Sequence, residues 1–147
     1  EAARAILNAG RRAQSSKNTQ PWQFVAIRDR ETLKQLLGTG DFAKHMAGAT
    51  FGVALISPDP AQRWSIPFDL GQAAAYMQLA AWELGLGSCI ASIYEPEKAK
   101  ALLGIPADHY FDVALSFGYP APDPNRSGPP KKGGRRSFDE VVKWERW

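Results

Sequence analysis

The chain has 147 residues, 44% hydrophobic and 22% charged, which suits one folded domain around one core and excludes a disordered chain. No apolar run is long enough to cross a bilayer, and the one cysteine, Cys89, excludes an intrachain disulfide and fits a reducing, cytoplasmic setting. The net charge is +3, and Lys131, Lys132, Arg135 and Arg136 crowd into one short stretch; such local basicity favours one anionic ligand or a flexible tail over a broad nucleic-acid surface.

Residues 2–13 pattern as a helix with Ala3, Ile6, Leu7 and Gly10 on one face. Residues 14–20 are polar and turn-like, and the aromatic and β-branched run 22–27 predicts a strand. Residues 30–37 form a short amphipathic helix stopped by Gly38. A further helical turn or two fits 41–48, and the apolar run 51–56 predicts a buried strand. Three prolines make 57–67 a loop.

The longest helix is expected over 68–84, with Leu70, Ala73, Ala74, Met77, Ala80, Ala81 and Leu84 on one face. Phe68, Tyr76, Leu79 and Trp82 occupy its other sides, with few charges. A helix apolar nearly all round must be covered on several sides, and one small core cannot do this, so a subunit interface is expected as the second cover. Gly85-Leu86-Gly87 ends the helix, 88–94 predicts a strand, 96–103 a helix closed by Gly104, and 111–117 another strand. Five prolines and three glycines make 119–134 an extended loop. Ser137 stands to cap a last helix over 138–147, with Glu140 at the capping-box position. About four strands alternate with helices, with no repeat and no domain boundary. The expectation is one α+β domain over 1–147, its mixed or antiparallel sheet flanked by helices on both faces.

The segment Ser15-Ser16-Lys17-Asn18-Thr19-Gln20-Pro21-Trp22 offers hydroxyls, amides and a cation. Such groups suit a polar planar ligand, since each buried polar atom needs a partner; the plain alternative is a turn between helix and strand. The glycines from Gly85 onward are no dinucleotide fingerprint, because Ile90 stands where the third glycine belongs and the segment follows a helix into a strand. Cys89 reads as a small core residue. Gly133-Gly134 beside Arg135 and Arg136 would let backbone and guanidinium approach a phosphate, or the stretch is a solvated charge run. His45 and His109 stand far apart without cysteine partners, which argues against zinc. With Asp69 they form no nucleophile–base set, and no Gly-x-Ser-x-Gly elbow is present. An enzyme without visible side-chain catalysts borrows its chemistry from a cofactor.

Five segments in this order resemble the nitroreductase family of FMN-dependent NAD(P)H oxidoreductases. They are Ser15 through Phe24 (SSKNTQPWQF), Asp69-Leu70-Gly71-Gln72-Ala73-Ala74, residues 79–88 (LAAWELGLGS), Leu103-Gly104-Ile105-Pro106, and Phe117-Gly118-Tyr119-Pro120. The resemblance implies a three-layer α/β/α homodimer around a mixed, mostly antiparallel sheet, with two FMN molecules at the subunit interface. It implies that Ser15, Ser16, Asn18 and Gln20 reach the flavin held mainly by the partner. The backbone at Ile90, Ala91 and Ser92 would lie against the ring, and Arg135 and Arg136 would hold the phosphate. It names no catalytic side chain, the chemistry being the flavin's, and no metal.

The implied reaction is reduction of nitroaromatics, quinones or similar acceptors by NADH or NADPH through a ping-pong mechanism, without nucleic-acid or membrane partners. Alternatives are a flavin-dependent dehydrogenase or oxygen-using enzyme on the same fold, and a non-catalytic flavin-binding or flavin-free dimer. Nucleic-acid binding through residues 131–136 has the least support, lacking interleaved aromatics. The family usually opens with an Arg-Arg-Ser-x-Arg segment. Either this lies upstream of Glu1, or phosphate binding rests on the late basic pair. Larger relatives carry extra helices where this chain has residues 57–67, so a more open pocket is expected, with Trp64 at its rim or simply on the surface.

Overall fold

In a computed structural model, which describes residues 1–39, 43–120, 122 and 133–147, the helical periodicity near the start becomes α1 (Ala2–Arg11), burying Ala3, Ile6 and Gly10. The first strand, β1 (Gln23–Ile27), follows a 3-10 turn at Ser16–Asn18. Asp29 caps α2 (Arg30–Leu37) by accepting from the Thr32 N–H at 2.7 Å. A second 3-10 turn, Ala43–Met46, carries Met46 into the core.

All of β2 (Phe51–Ser57) is buried, and β4 (Tyr110–Gly118) is buried from Ala114 to Phe117. Their continuous apolar runs mark strands covered on both faces. They take the two central places in the order β1-β2-β4-β3, with β3 (Gly87–Ser92) on the far edge. Every pairing among the described residues is antiparallel.

Side-chain alternation divides the core. On one face Phe51, Val53, Leu55, Leu115 and Phe117 meet Ile6 of α1 and Ala74, Met77 and Ala81 of α3 (Ser65–Glu83). On the other, Ala54, Ile56, Ala91 and Ala114 meet Leu33 and Leu36 of α2 and Ala99 of α4 (Pro96–Leu103). The result is the three-layer arrangement the sequence predicts. Phe51 and Phe117 stack across β2 and β4 at 4.8 Å, a cross-strand aromatic pair that reinforces the register.

Three expectations are corrected. First, α3 starts at Ser65 rather than at residue 68. Pro67 therefore lies in the first turn, where the backbone N–H has no helical partner to lose. Second, the final helix, α5 (Phe138–Val141), is four residues long instead of ten. Its capping box forms, but none of its residues is buried and Val142 is already extended; a helix this short gains too little without packing. Third, Cys89 is exposed on edge strand β3, not in the core. Most of the predicted 119–134 loop, with Lys131 and Lys132, lies outside the described residues, as do positions 41 and 42 of the predicted 41–48 turn.

Candidate functional site

The polar loop between α1 and β1 is held in an unusual backbone conformation. Lys17, Asn18 and Gln20 all have positive φ, at 52°, 55° and 47°. Left-handed geometry costs a side-chain-bearing residue roughly 1 kcal/mol or more and persists only where the surroundings enforce it. Here Asp69, 1% exposed on α3, accepts the Ser16 N–H on both carboxylate oxygens at 3.1 and 3.2 Å. Ser15 Oγ accepts the Gln20 N–H at 3.0 Å and closes the loop on itself. Arg63 donates to Thr19 Oγ1, and Gln72 Nε2 donates to the Gln14 carbonyl at 3.4 Å. With these ties in place, the side chains of Lys17, Asn18 and Gln20 remain exposed.

Two buried polar atoms under this loop, Arg63 Nε and Ser65 Oγ, have no hydrogen-bond partner among the described residues. Ser65 is 0% exposed, so its hydroxyl is enclosed by the chain itself. A groove of about 900 Å³ opens beside the loop between α1 and β1, lined by Arg4, Asn8, Arg11, Gln20, Trp22 and Phe24 among others.

The second polar surface is the edge of β3. Ile93 donates its N–H to the Asp112 carbonyl at 2.8 Å, in register with the β3–β4 ladder. Hydrogen-bonded pairs alternate in an antiparallel ladder. Odd-numbered residues therefore turn their backbone groups toward β4, and Ser88, Ile90 and Ser92 turn theirs outward. Ile90 and Ser92 are exposed, and their N–H groups donate to nothing among the described residues. Ala91 behaves differently: its side chain is buried in the core and its backbone faces β4. Nearby, Gln78, Trp82, Leu86, Gly87 and Ser88 line a groove of about 720 Å³.

One chain does not bring these surfaces together. β1 and β3 are opposite edges of the sheet. The loop is tied to α3 at Asp69, whereas β3 meets the same helix at Gln78, whose Nε2 donates to Ser88 Oγ at 3.3 Å. Nine helical residues separate those ties by about 14 Å. Arg135 and Arg136 are exposed ahead of α5, and Arg136 donates to the nearby Glu140 carbonyl at 3.1 Å.

Trp64 is 78% exposed beside Phe68, ring centroids 6.4 Å apart. It begins an apolar stripe on α3 that continues through Tyr76, Leu79 and Trp82, the last 79% exposed. No helix among the described residues is long and apolar enough to cross a membrane, and no cluster there could hold a metal ion.

Sequence reasoning overlooked Asp69 as the loop's anchor, together with Ser65 and Arg63. A signal existed. Ser65, Asp69, Ala73 and Met77 follow at four-residue spacing, so a carboxylate on the buried face of an apolar helix was legible.

The described residues thus offer a strained polar loop, an outward backbone edge on β3 and an exposed apolar face on α3. The family model described as the nitroreductase family matches residues 42–119, over half the chain, and the chain belongs to that family. A protein of Archaeoglobus fulgidus, provisionally named an NADH dehydrogenase/NAD(P)H nitroreductase, is 33% identical over 124 residues, spanning 78% of this chain and 70% of that one. Among solved structures, an FMN-dependent nitroreductase from Clostridium difficile superposes with a TM-score of 0.81 at 25% identity, covering 99% of this chain and 87% of its own. The NADPH:FMN oxidoreductase of Vibrio harveyi, solved with NAD+, shares the fold at a TM-score of 0.80 and 19% identity, covering 99% of this chain and 68% of its own.

Proposed function

We propose that this protein is an FMN-dependent NAD(P)H oxidoreductase acting as a homodimer, with each flavin site built from both subunits. The observation that carries this reading is the outward backbone of Ile90 and Ser92 on edge strand β3, beside the apolar face of α3 and inside the segment the family model matches. When bound, FMN takes a hydride equivalent from NAD(P)H and passes electrons to an acceptor.

The chain's own residues bind and orient. The Ile90 and Ser92 amides would hold the ring edge by donating to its acceptor atoms, as preorganised donors do wherever charge develops. Ser15, Ser16, Asn18 and Gln20 approach from the partner's loop, which would remove the separation of about 14 Å found within one subunit. Arg135 and Arg136 pair with the phosphate. The exposed residues Phe68, Tyr76, Leu79 and Trp82 of α3 would form the subunit interface, since so many large apolar side chains left bare on one helix call for a cover. On this reading exposed Trp64, beside Phe68, would stand at the rim of the pocket.

Nitroaromatics and quinones would be the acceptor class, and a site shared by nicotinamide and acceptor would give ping-pong kinetics. The test is direct. Purified protein titrated with FMN is expected to bind it, to bleach on adding NADH or NADPH without oxygen, and to recover colour with a nitroaromatic. Bound FMN that neither cofactor bleaches would turn the reading toward a flavin-dependent dehydrogenase or oxygen-using enzyme; no binding at all would end it.

A further inference from the structure

We infer that His45 is a positioning residue for the outer edge of β3, acting through the Ile90 carbonyl with Ser116 as its brace; the inference rests on that edge being the flavin-facing one. His45 lies on the 3-10 turn Ala43–Met46, on the sheet face opposite α3. The neighbouring Met46 is 1% exposed in the core, which fixes the turn in place. His45 Nε2 lies 3.2 Å from the Ile90 carbonyl, and Nδ1 lies 2.7 Å from Ser116 Oγ. A carbonyl only accepts, so Nε2 carries the hydrogen. In the neutral ring Nδ1 is then the acceptor and the Ser116 hydroxyl donates to it. That hydroxyl also lies 3.4 Å from the Cys89 carbonyl; the shorter contact decides where its single proton goes. Ser116 is buried on central strand β4. The ring is thus set by a rigid neighbour, and its remaining N–H is aimed at one atom.

That atom matters because of its neighbours. An outward-facing strand residue presents both its N–H and its C=O at the edge. The Ile90 carbonyl is therefore an acceptor standing between the amides of Ile90 and Ser92. Left bare, it would repel the acceptor-rich rim of a flavin. Engaged by His45, the carbonyl has one lone pair taken up and is held against rotation, so the stretch from the Ile90 amide to the Ser92 amide presents two donors with a weakened acceptor between them. The interaction also blunts an exposed strand edge against unwanted pairing.

The variants are His45→Phe, which keeps a ring without nitrogens, His45→Gln, which restores a donor near Nε2, and Ser116→Ala, which removes only the brace. In FMN titrations followed by fluorescence quenching, His45→Phe is expected to weaken binding about tenfold and shift the long-wavelength flavin band, with His45→Gln recovering to within about threefold and Ser116→Ala losing about threefold. Without FMN, hydrogen exchange at the Cys89 and Ala91 amides, which face β4, is expected to quicken in His45→Phe. If folded His45→Phe keeps wild-type affinity and band position, the inference is overturned. Should His45→Phe fail to fold, unchanged FMN affinity in Ser116→Ala overturns it instead. If the wild type binds no FMN, the proposed function fails by itself, and unchanged exchange at Cys89 and Ala91 overturns the role of His45 independently.

Discussion

Asp69 spends its charge on one backbone amide. A carboxylate 1% exposed, accepting only the Ser16 N–H among the described residues, is costly to bury and is retained for the geometry it imposes on residues 15–20. Replacing it with alanine is expected to lower stability by about 1.5–3 kcal/mol, the range for a hydrogen bond to a charged group, and to expose the loop to proteolysis. Asp69→Asn, which keeps an acceptor, should lose less in the same urea melts. The Asp29 carboxyl is held below its ordinary range chiefly by accepting the Thr32 N–H, then by the Thr32 hydroxyl. A depressed value in the folded state means the cap contributes fully above the unfolded carboxylate range and is lost as pH falls through the folded value. Between about pH 6 and about pH 3, the wild type should therefore lose more stability than Asp29→Ala, measured by urea unfolding at both ends. Most of these residue-level roles were hidden in the sequence, because Asp69 and Ser16 meet across 53 positions.

Helix α3 shows at the element scale how one pattern serves two surfaces. Its buried residues, Ala73, Ala74, Met77 and Ala81, pack on α1 and the sheet, while Phe68, Leu79 and Trp82 stay exposed. Where α1 crosses it, Gly10 leaves no room for a side chain: a Cβ there would stand 2.7 Å from Met77 Cγ. Gly10→Ala would gain about 0.5–1 kcal/mol of helix propensity but lose about 1–3 kcal/mol to overpacking. A net fall in thermal stability is expected, and Gly10→Ala combined with Met77→Ala should lose less than the sum of the two single changes. On the exposed side, Leu79→Glu with Trp82→Glu should leave each subunit folded by circular dichroism, yet convert the proposed dimer to monomers in sedimentation and abolish FMN binding with it. An intact dimer would remove this face from the interface. The element boundaries were largely legible because periodicity is local. The early start of α3 and the short α5 were not, since Pro67 is tolerated in a first turn and α5 finds nothing to pack against.

For the whole molecule, the sheet order sets the terms. With β1 and β3 at opposite edges, the polar loop and the donor edge belong to different ends of one subunit, and a site that uses both needs a second copy. A ligand bound only to the folded dimer stabilises it by mass action, about 2.7 kcal/mol at a hundredfold excess over Kd. FMN should accordingly raise the melting temperature in a concentration-dependent way, and riboflavin, lacking the phosphate, should raise it less. Equal shifts from both would count against Arg135 and Arg136 as phosphate ligands.

By itself the sequence determined the spacing of apolar residues, hence the helices and strands, the long helix with too much apolar surface, and the motif order that marks the family. Those features are written in neighbouring residues and survive without a partner. Only the tertiary structure decided that Ile90 and Ser92 face outward while Cys89 and Ala91 face β4, that Asp69 holds the Ser16 amide, and that His45 reaches the Ile90 carbonyl. The parity of an edge strand is set by its pairing with β4, and the other two contacts join residues 45 or more positions apart; no local pattern of side chains encodes any of them.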